Sequence, residues 1–110
     1  MTTISKDRNI FTLINVFDVN RGCMDKFLEI QFRATKDFIS KQPGFISANF
    51  HVSHDRTKCV NYAQWQSIDH FKQAFEKPEF QAEVVELLKI CTPATAPYDI
   101  VECVEAPVHG

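Results

Sequence analysis

The chain contains 110 residues with a formal net charge of −2, and 45% of its residues are hydrophobic while 24% are charged. This length and composition predict one globular domain that buries a core without needing disulfides or metals. The small negative charge disfavours a nucleic-acid partner, the three glycines leave no glycine-rich phosphate loop, and no apolar run is long enough to span a membrane.

Residues 1–9 are polar and lack the apolar core of a signal peptide, which predicts a flexible N-terminus and a cytoplasmic protein. Residues 10–19 are rich in β-branched and aromatic residues and are predicted as strand one. One face of this strand carries Asn15 as its only polar side chain, together with Phe11, Leu13, Phe17 and Val19. A carboxamide buried there without partners would cost about 1–3 kcal/mol. Asn15 is therefore expected to be hydrogen-bonded, solvated in a cavity or used by a ligand.

The apolar residues between positions 24 and 42 recur at helical spacing, which predicts helix one, and Pro43-Gly44 ends it. Residues 45–53 are predicted as strand two and residues 58–66 as strand three, joined by a hairpin loop. On strand three, Asn61 shares a face with Cys59, Ala63 and Trp65. Asn61 therefore raises the same question of partners as Asn15.

Ser67 is a suitable N-cap for helix two, which is predicted to end near residue 76. Pro78 suits the first position of helix three. The apolar stripe predicted for helix three comprises Phe80, Val84, Leu87, Leu88 and Cys91.

Residues 92–97 contain two prolines and are predicted as a connector, residues 98–105 as strand four, and residues 106–110 as a C-terminal tail. The element order is then β-α-β-β-α-β with the second helix broken in two, within a single domain at residues 10–105. This order predicts the ferredoxin-like α+β class, a sheet with its helices on one face.

The helices are expected to cover one sheet face and to leave the other without a cover. The uncovered face is predicted to carry the apolar set Phe11, Leu13, Phe17, Val19, Cys59, Ala63 and Trp65. An apolar patch of that size is a liability in a monomer, so the pattern predicts a two-fold homodimer. A ligand pocket would lie either between the helices and the sheet or within the barrel formed by the dimer.

Four cysteines and four histidines show no metal-site spacing, so no metal is predicted. The four cysteines are expected to be reduced, buried thiols that behave as small apolar groups: Cys23, Cys59, Cys91 and Cys103. His51 and His54 flank the hairpin and are predicted to be solvated, while His70 is expected on the surface of helix two and His109 in the tail. If His70 instead faced a ligand, it could serve as a proton acceptor, because the ordinary pKa of a histidine lies near neutral pH.

Several segments of the chain resemble the antibiotic biosynthesis monooxygenase domain, a family of dimeric α+β barrels. The similar segments are Phe11–Phe17, Gln42–Ile46, Asn61–Ser67, Phe71 and Lys77–Phe80. The resemblance covers about residues 10–105. It implies a dimeric α+β barrel that binds a small hydrophobic molecule and dioxygen.

One branch of that superfamily, the anthrone-type oxygenases, uses asparagine amides and a tryptophan without any cofactor. The resemblance to this branch implies a monooxygenase acting on a polycyclic aromatic, anthrone-like substrate, with Asn15, Asn61 and Trp65 as the catalytic set. It further implies a substrate-binding surface formed by Phe11, Leu13, Phe17, Ala63 and Phe71. No base is assigned, because no carboxylate or histidine is predicted on the pocket faces.

Two alternatives remain at this stage. The haem-degrading branch also has counterparts of Asn15 and Trp65, but its iron-ligating histidine corresponds to Val84 here, and a haem site without its axial ligand is disfavoured. The second alternative is a non-catalytic dimeric module that binds a small ligand or serves a stress response, because this fold hosts several functions.

Overall fold

The computed structural model describes residues 2–108; Met1 and the predicted tail residues His109 and Gly110 lie outside the described residues. The strands are β1 (Phe11–Val19), β2 (Phe45–Val52), β3 (Lys58–Trp65) and β4 (Cys91–Tyr98). The helices are α1 (Met24–Asp37), α2 (Ile68–Phe75) and α3 (Pro78–Leu87), with a short 3₁₀ turn at Ile39–Lys41. The four strands form one antiparallel sheet in the order β2-β3-β1-β4. This arrangement confirms the ferredoxin-like α+β class.

The local signals in the sequence place the start of each helix correctly. Ser67 caps α2 because its hydroxyl accepts a hydrogen bond from the His70 backbone N–H at 3.2 Å. Pro78 occupies the first turn of α3, where its missing N–H costs nothing. Helix α1 ends at Asp37, five residues before the predicted end, and the 3₁₀ turn continues the chain toward Gly44.

The predicted position of strand four is wrong. Strand β4 runs from Cys91 to Tyr98, through the segment predicted as a connector, and residues 99–105 are not in a strand. Helix α3 ends at Leu87, so Cys91 begins β4 and does not lie on the stripe of helix three as predicted. An edge strand tolerates proline, because a missing N–H on its outer side breaks no ladder hydrogen bond. Strand β4 is such an edge, since it pairs only with β1, where Pro93 lies opposite Phe17 and Pro97 opposite Leu13.

The predicted orientation of the sheet is also wrong. The apolar face that was expected to meet a second subunit is turned toward the helices, where Phe17 and Cys59 pack with Phe27 of α1. The same face contributes Trp65, which packs with Ala74 of α2. The helices cover this face because it offers their apolar stripes the larger area to remove from water.

The helix-free face of the sheet is more polar than was predicted. It carries Thr12 and Gln64, which are 3% and 0% exposed. Gln64 donates from Nε2 to the carbonyl oxygen of Thr3 at 2.8 Å, and the Thr2 hydroxyl donates to Asn49 at 2.9 Å. The N-terminal segment therefore covers part of this face.

Two aromatic clusters form the core between the sheet and the helices. In the first, the rings of Phe17 and Phe27 lie 5.0 Å apart, and Phe27 is fully buried. In the second, Trp65 packs edge-on between Phe45 and Phe71. No helix within residues 2–108 is both long enough and apolar enough to cross a membrane.

We expect Gly44→Ala to destabilise the fold more than Gly22→Ala. Both glycines have positive φ, +84° and +79°, so either alanine costs about 1–2 kcal/mol of backbone strain. A Cβ at position 44 would also lie 2.2 Å from the His70 ring, whereas a Cβ at position 22 meets no atom within 4 Å. This overlap should add about 1–3 kcal/mol. Urea unfolding of both variants measures the difference; equal losses would show that the His70 ring gives way freely.

Candidate active site

A cavity of about 140 Å³ lies between the helices and the sheet. The sheet contributes residues of all four strands, and α1, α2 and α3 close the other side. Its surface is largely apolar and carries few polar groups, which is the usual composition of a small-molecule site. The lining residues are Leu13, Asn15, Phe17, Gln31, Thr35, Ile39, Phe45, Ala48, Asn61, Ala63, Phe71, Phe75, Phe80, Glu83, Val84, Leu87, Leu88, Cys91, Pro93 and Thr95.

Asn15 and Asn61 lie side by side in the floor of this cavity. They are directly opposite each other in the antiparallel pairing of β1 with β3. Residues paired in this way have Cβ atoms about 4.5–5.5 Å apart on the same sheet face. The two carboxamides therefore enter one cavity from neighbouring strands.

One hydrogen bond fixes the orientation of the Asn61 carboxamide. Its Oδ1 accepts the backbone N–H of Asn49 at 3.0 Å. Only the oxygen of a carboxamide can accept from an N–H, so the amide nitrogen is the end that remains for other partners. Asn61 can thus offer N–H donors to a ligand oxygen without losing its link to β2.

The aromatic wall of the cavity is formed by Phe45, Phe71, Phe75 and Phe80. Trp65 is 2% exposed and lies behind this wall, with ring centroids 5.3 Å from Phe45 and 5.7 Å from Phe71. The indole supports two lining rings from behind and is not itself among the lining residues.

The structure brings together most of the residues that the sequence singled out. Asn15 and Asn61 line the cavity along with the predicted substrate-binding residues Leu13, Phe17, Ala63 and Phe71. Trp65 and Phe11 do not line it; Phe11 packs against Phe71, with ring centroids 5.8 Å apart.

Glu83 is a cavity residue that the sequence reasoning missed. It lies on α3, is 6% exposed, and has one buried carboxylate oxygen, Oε2, without a hydrogen-bond partner among the described residues. Burial, together with the nearby Glu86 carboxylate, raises the pKa of the Glu83 carboxyl from 4.5 to about 7. The spacing of Glu83 could have revealed it in the sequence. It lies three residues after Phe80 and four before Leu87, which places a charged residue on the apolar stripe.

Gln31 is a second polar residue of the cavity that the sequence analysis did not single out. It is 5% exposed and contributes to the cavity from α1, as does Thr35. Gln31 follows the buried Phe27 by one helical turn, which is the spacing that could have revealed it.

Cys59 and Cys91 are buried, as predicted, whereas Cys23 is only half-buried and Cys103 is exposed, contrary to the prediction that all four are buried. Burial raises the pKa of the Cys59 thiol to about 11 and also raises the pKa of the Cys91 thiol. Both groups are therefore protonated near neutral pH, and Cys91, which lines the cavity, is not a nucleophile there.

His51, His54 and His70 do not line the cavity. His51 and His54 are exposed, as predicted. His70 is half-buried, not on the surface as predicted, because its ring packs on Gly44 and its Nδ1 lies 2.7 Å from the Ser67 hydroxyl. Within residues 2–108, no three His, Cys, Asp or Glu side chains form a cluster suited to a metal ion.

Residues 10–85 match the family described as antibiotic biosynthesis monooxygenase. The chain is 41% identical over 81 residues to tetracenomycin-F1 monooxygenase of Streptomyces glaucescens, a match that covers 74% of this chain and 72% of that protein. The chain therefore belongs to the antibiotic biosynthesis monooxygenase family, and it is a monooxygenase.

Solved structures show the same fold at lower sequence identity. SnoaB from Streptomyces nogalater, a cofactor-independent oxygenase, superposes with a TM-score of 0.79 at 24% identity, covering 90% of this chain and all of that chain. A family member from Nitrosomonas europaea gives a TM-score of 0.75 at 14% identity, covering 84% of this chain and 91% of that chain. Val84, which the resemblance places at the iron-ligand position of the haem-degrading branch, lines the cavity.

Glu83→Gln should remove a pH-dependent loss of stability. The folded-state pKa of Glu83 is raised, so the folded protein binds the proton more tightly than the unfolded chain, and stability falls as pH rises from about 4.5 to 7. From pH 5 to pH 8, the free energy of unfolding of the wild type should therefore fall by about 2–3 kcal/mol more than that of Glu83→Gln. Urea unfolding of both proteins at the two pH values measures it. A parallel pH dependence in the two proteins would contradict the raised pKa.

Proposed function

We propose that this protein is a cofactor-independent monooxygenase that oxidises a polycyclic aromatic substrate of the anthrone type with dioxygen. The observation that carries the proposal is the pair of carboxamides, Asn15 and Asn61, in the floor of an otherwise apolar cavity. Two relatives support it through their names: one is a tetracenomycin-F1 monooxygenase, and the other a cofactor-independent oxygenase.

The substrate itself supplies the electrons in this chemistry. An anthrone has an acidic CH₂ group conjugated through its rings to a ketone, and loss of one proton gives an electron-rich enolate. The enolate transfers one electron to dioxygen, and recombination of the two radicals forms a carbon–oxygen bond. Loss of water from the resulting hydroperoxide leaves a quinone, so the overall change is CH₂ plus O₂ to C=O plus H₂O.

The carboxamides stabilise the charge that develops on the ketone oxygen as the enolate forms. Asn61 is suited to this role because its Oδ1 is held by the Asn49 backbone N–H, which leaves its own N–H groups as donors. Donors that are already oriented in an apolar site stabilise an oxyanion more than water does, since they need no reorganisation.

The aromatic wall holds the rings of the substrate and excludes water. Phe45 and Phe71 offer faces for stacking, and we assign to Trp65 the role of holding both rings in place from behind. In this role Trp65 is a positioning residue.

The rim of the cavity has to yield when a polycyclic substrate enters. The present volume of about 140 Å³ is below the roughly 300–1,000 Å³ of common ligand sites. Phe75 and Leu88 line the cavity and are 38% and 53% exposed, so these side chains can swing outward without breaking the core. Rotamer changes of exposed side chains take only picoseconds to nanoseconds.

Asn61→Ala should reduce kcat/KM for anthrone oxidation by about 100-fold, because it removes one oxyanion donor. The matched control is Asn9→Ala, which alters an exposed asparagine outside the cavity and should leave the rate unchanged. Oxygen uptake by the metal-free protein and quinone formation, both corrected for the spontaneous reaction, provide the measurement. An Asn61→Ala variant as fast as the control would remove the carboxamide from the mechanism, and a wild type no faster than buffer would contradict the proposed substrate class.

We also propose that the protein acts as a homodimer in the cytoplasm. The segment of residues 99–108 carries Val101, Val104 and Val108, which are 86%, 89% and 96% exposed. A second copy of the chain would cover these valines together with the half-buried Ile14 and Val16 of the helix-free sheet face. The four free thiols are consistent with a reducing compartment.

The wild type should sediment at twice the 12.7 kDa mass of the chain in analytical ultracentrifugation. The double substitution Val101→Asp, Val104→Asp should shift it toward the monomer, because it places charges on the valines assigned to the interface. Val85→Asp is the control, since this exposed valine lies on α3, away from the segment. Dimers of unchanged affinity in the double variant would move the interface elsewhere.

A further inference from the structure

The proposed reaction begins with a proton transfer that the carboxamides cannot accomplish. A neutral carboxamide donates hydrogen bonds and accepts them, but it is too weak a base to remove a proton from carbon. Among the described residues that line the cavity, only Glu83 and Cys91 carry an ionisable side chain. Cys91 is a protonated thiol, since burial raises its pKa, and a protonated thiol accepts no further proton.

The placement of Glu83 is costly for a residue without a function. Its carboxyl group is on the apolar stripe of α3, beside the lining residues Phe80, Val84 and Leu87. It is 6% exposed, and its Oε2 has no hydrogen-bond partner among the described residues. A carboxyl group buried without partners loses its hydration and gains nothing in exchange, so an unsatisfied one requires an explanation.

Among the described residues that line the cavity, none carries a cationic side chain that could form an ion pair with Glu83. Across the cavity, α1 presents Gln31 and Thr35, the sheet presents Asn15, Asn61, Cys91 and Thr95, and α2 presents phenylalanines, all without charge. Within residues 2–108, the charge that raises the pKa of Glu83, after burial, is the carboxylate of Glu86 on the same helix. Glu86 is itself half-exposed and lies 3.6 Å from Arg33 of α1.

From this placement we propose that Glu83 is the catalytic base of the reaction; the proposal rests on the proposed function. The Glu83 carboxylate removes one proton from the substrate CH₂ group. The C–H electron pair moves into the ring system as the enolate, and the new negative charge on the ketone oxygen is met by the N–H groups of Asn15 and Asn61. The base and the oxyanion donors thus act from opposite walls of one cavity.

Glu83 returns the proton later in the same cycle. After the enolate and dioxygen have combined, the peroxide anion takes the proton back from Glu83 and becomes a hydroperoxide. The carboxylate then removes the second C–H proton, whose electron pair forms the new C=O bond while the O–O bond breaks. The departing hydroxide takes that proton from Glu83 and leaves as water, so the carboxylate is regenerated.

The pH dependence expected of such a base has a definite sign. The raised pKa of about 7 keeps Glu83 basic enough to accept a proton and still ionised in about half of the molecules at neutral pH. The rate should rise with pH through this range and level off above it. Glu86→Gln should move the rise to lower pH, because it removes the neighbouring negative charge that raises the pKa of Glu83.

Anaerobic exchange in D₂O tests the proton transfer separately from the oxygen chemistry. The wild-type protein should catalyse exchange of the anthrone CH₂ protons for deuterium, followed by NMR, and Glu83→Gln should lower this rate at least about 100-fold. Glu83→Asp should retain part of the rate and the pH-dependent rise. The control Glu79→Gln alters an exposed glutamate in the first turn of the same helix and should exchange at the wild-type rate.

The outcomes separate the two proposals. Exchange that is fast in the wild type and lost in Glu83→Gln supports Glu83 as the base. If that same wild-type protein consumes no oxygen, only the proposal that it oxidises an anthrone-type substrate is overturned. Exchange by Glu83→Gln at the wild-type rate, or none by the wild type above the buffer rate, would overturn Glu83 as the base. The urea unfolding curve of Glu83→Gln at pH 8 shows whether the variant is folded.

Discussion

The antiparallel pairing of β1 with β3 is the constraint on which the rest of this structure depends. Its register places Asn15 opposite Asn61, Leu13 opposite Ala63, and Phe17 opposite Cys59. A slip of one residue would turn every one of these side chains to the other face of the sheet, because side chains alternate along a strand. The same register therefore fixes the core, the cavity floor and the pair of carboxamides in a single step.

The site is built from groups of opposite character that the fold holds close together. The sheet supplies hydrogen-bond donors, the aromatic wall supplies an apolar surface backed by Trp65, and α3 supplies a buried carboxyl group. Burial strengthens the first and the last of these contributions, since a low dielectric favours oriented donors and makes a carboxylate more basic. Burying the Glu83 carboxyl group costs folding free energy, and its proposed role as the catalytic base gives a reason for that cost.

Much of the fold could be predicted from the sequence, and the errors have physical reasons. The helices, the hairpin and the first three strands follow from periodicity and from local signals such as Ser67 and Pro78, which act within a few residues. Strand β4 was missed because Pro93 and Pro97 oppose strand formation in general, whereas an edge strand that pairs only with β1 tolerates them. The face covered by the helices was also assigned wrongly, because periodicity shows which side chains share a face and not which layer meets it.

The sequence by itself determined the family and the order of the elements. It also showed that Asn15 shares a face of strand one with apolar neighbours and that Asn61 shares a face of strand three with Trp65. These properties depend on side-chain alternation and on short segments of chain. The tertiary structure decided what lies opposite those faces: the cavity, the position of Trp65 behind its wall, and the approach of Glu83 from α3. Such features depend on contacts between residues that are distant in the sequence. From the sequence alone, a carboxylate on a helix is expected to be solvated, because the packing of that helix is not yet known.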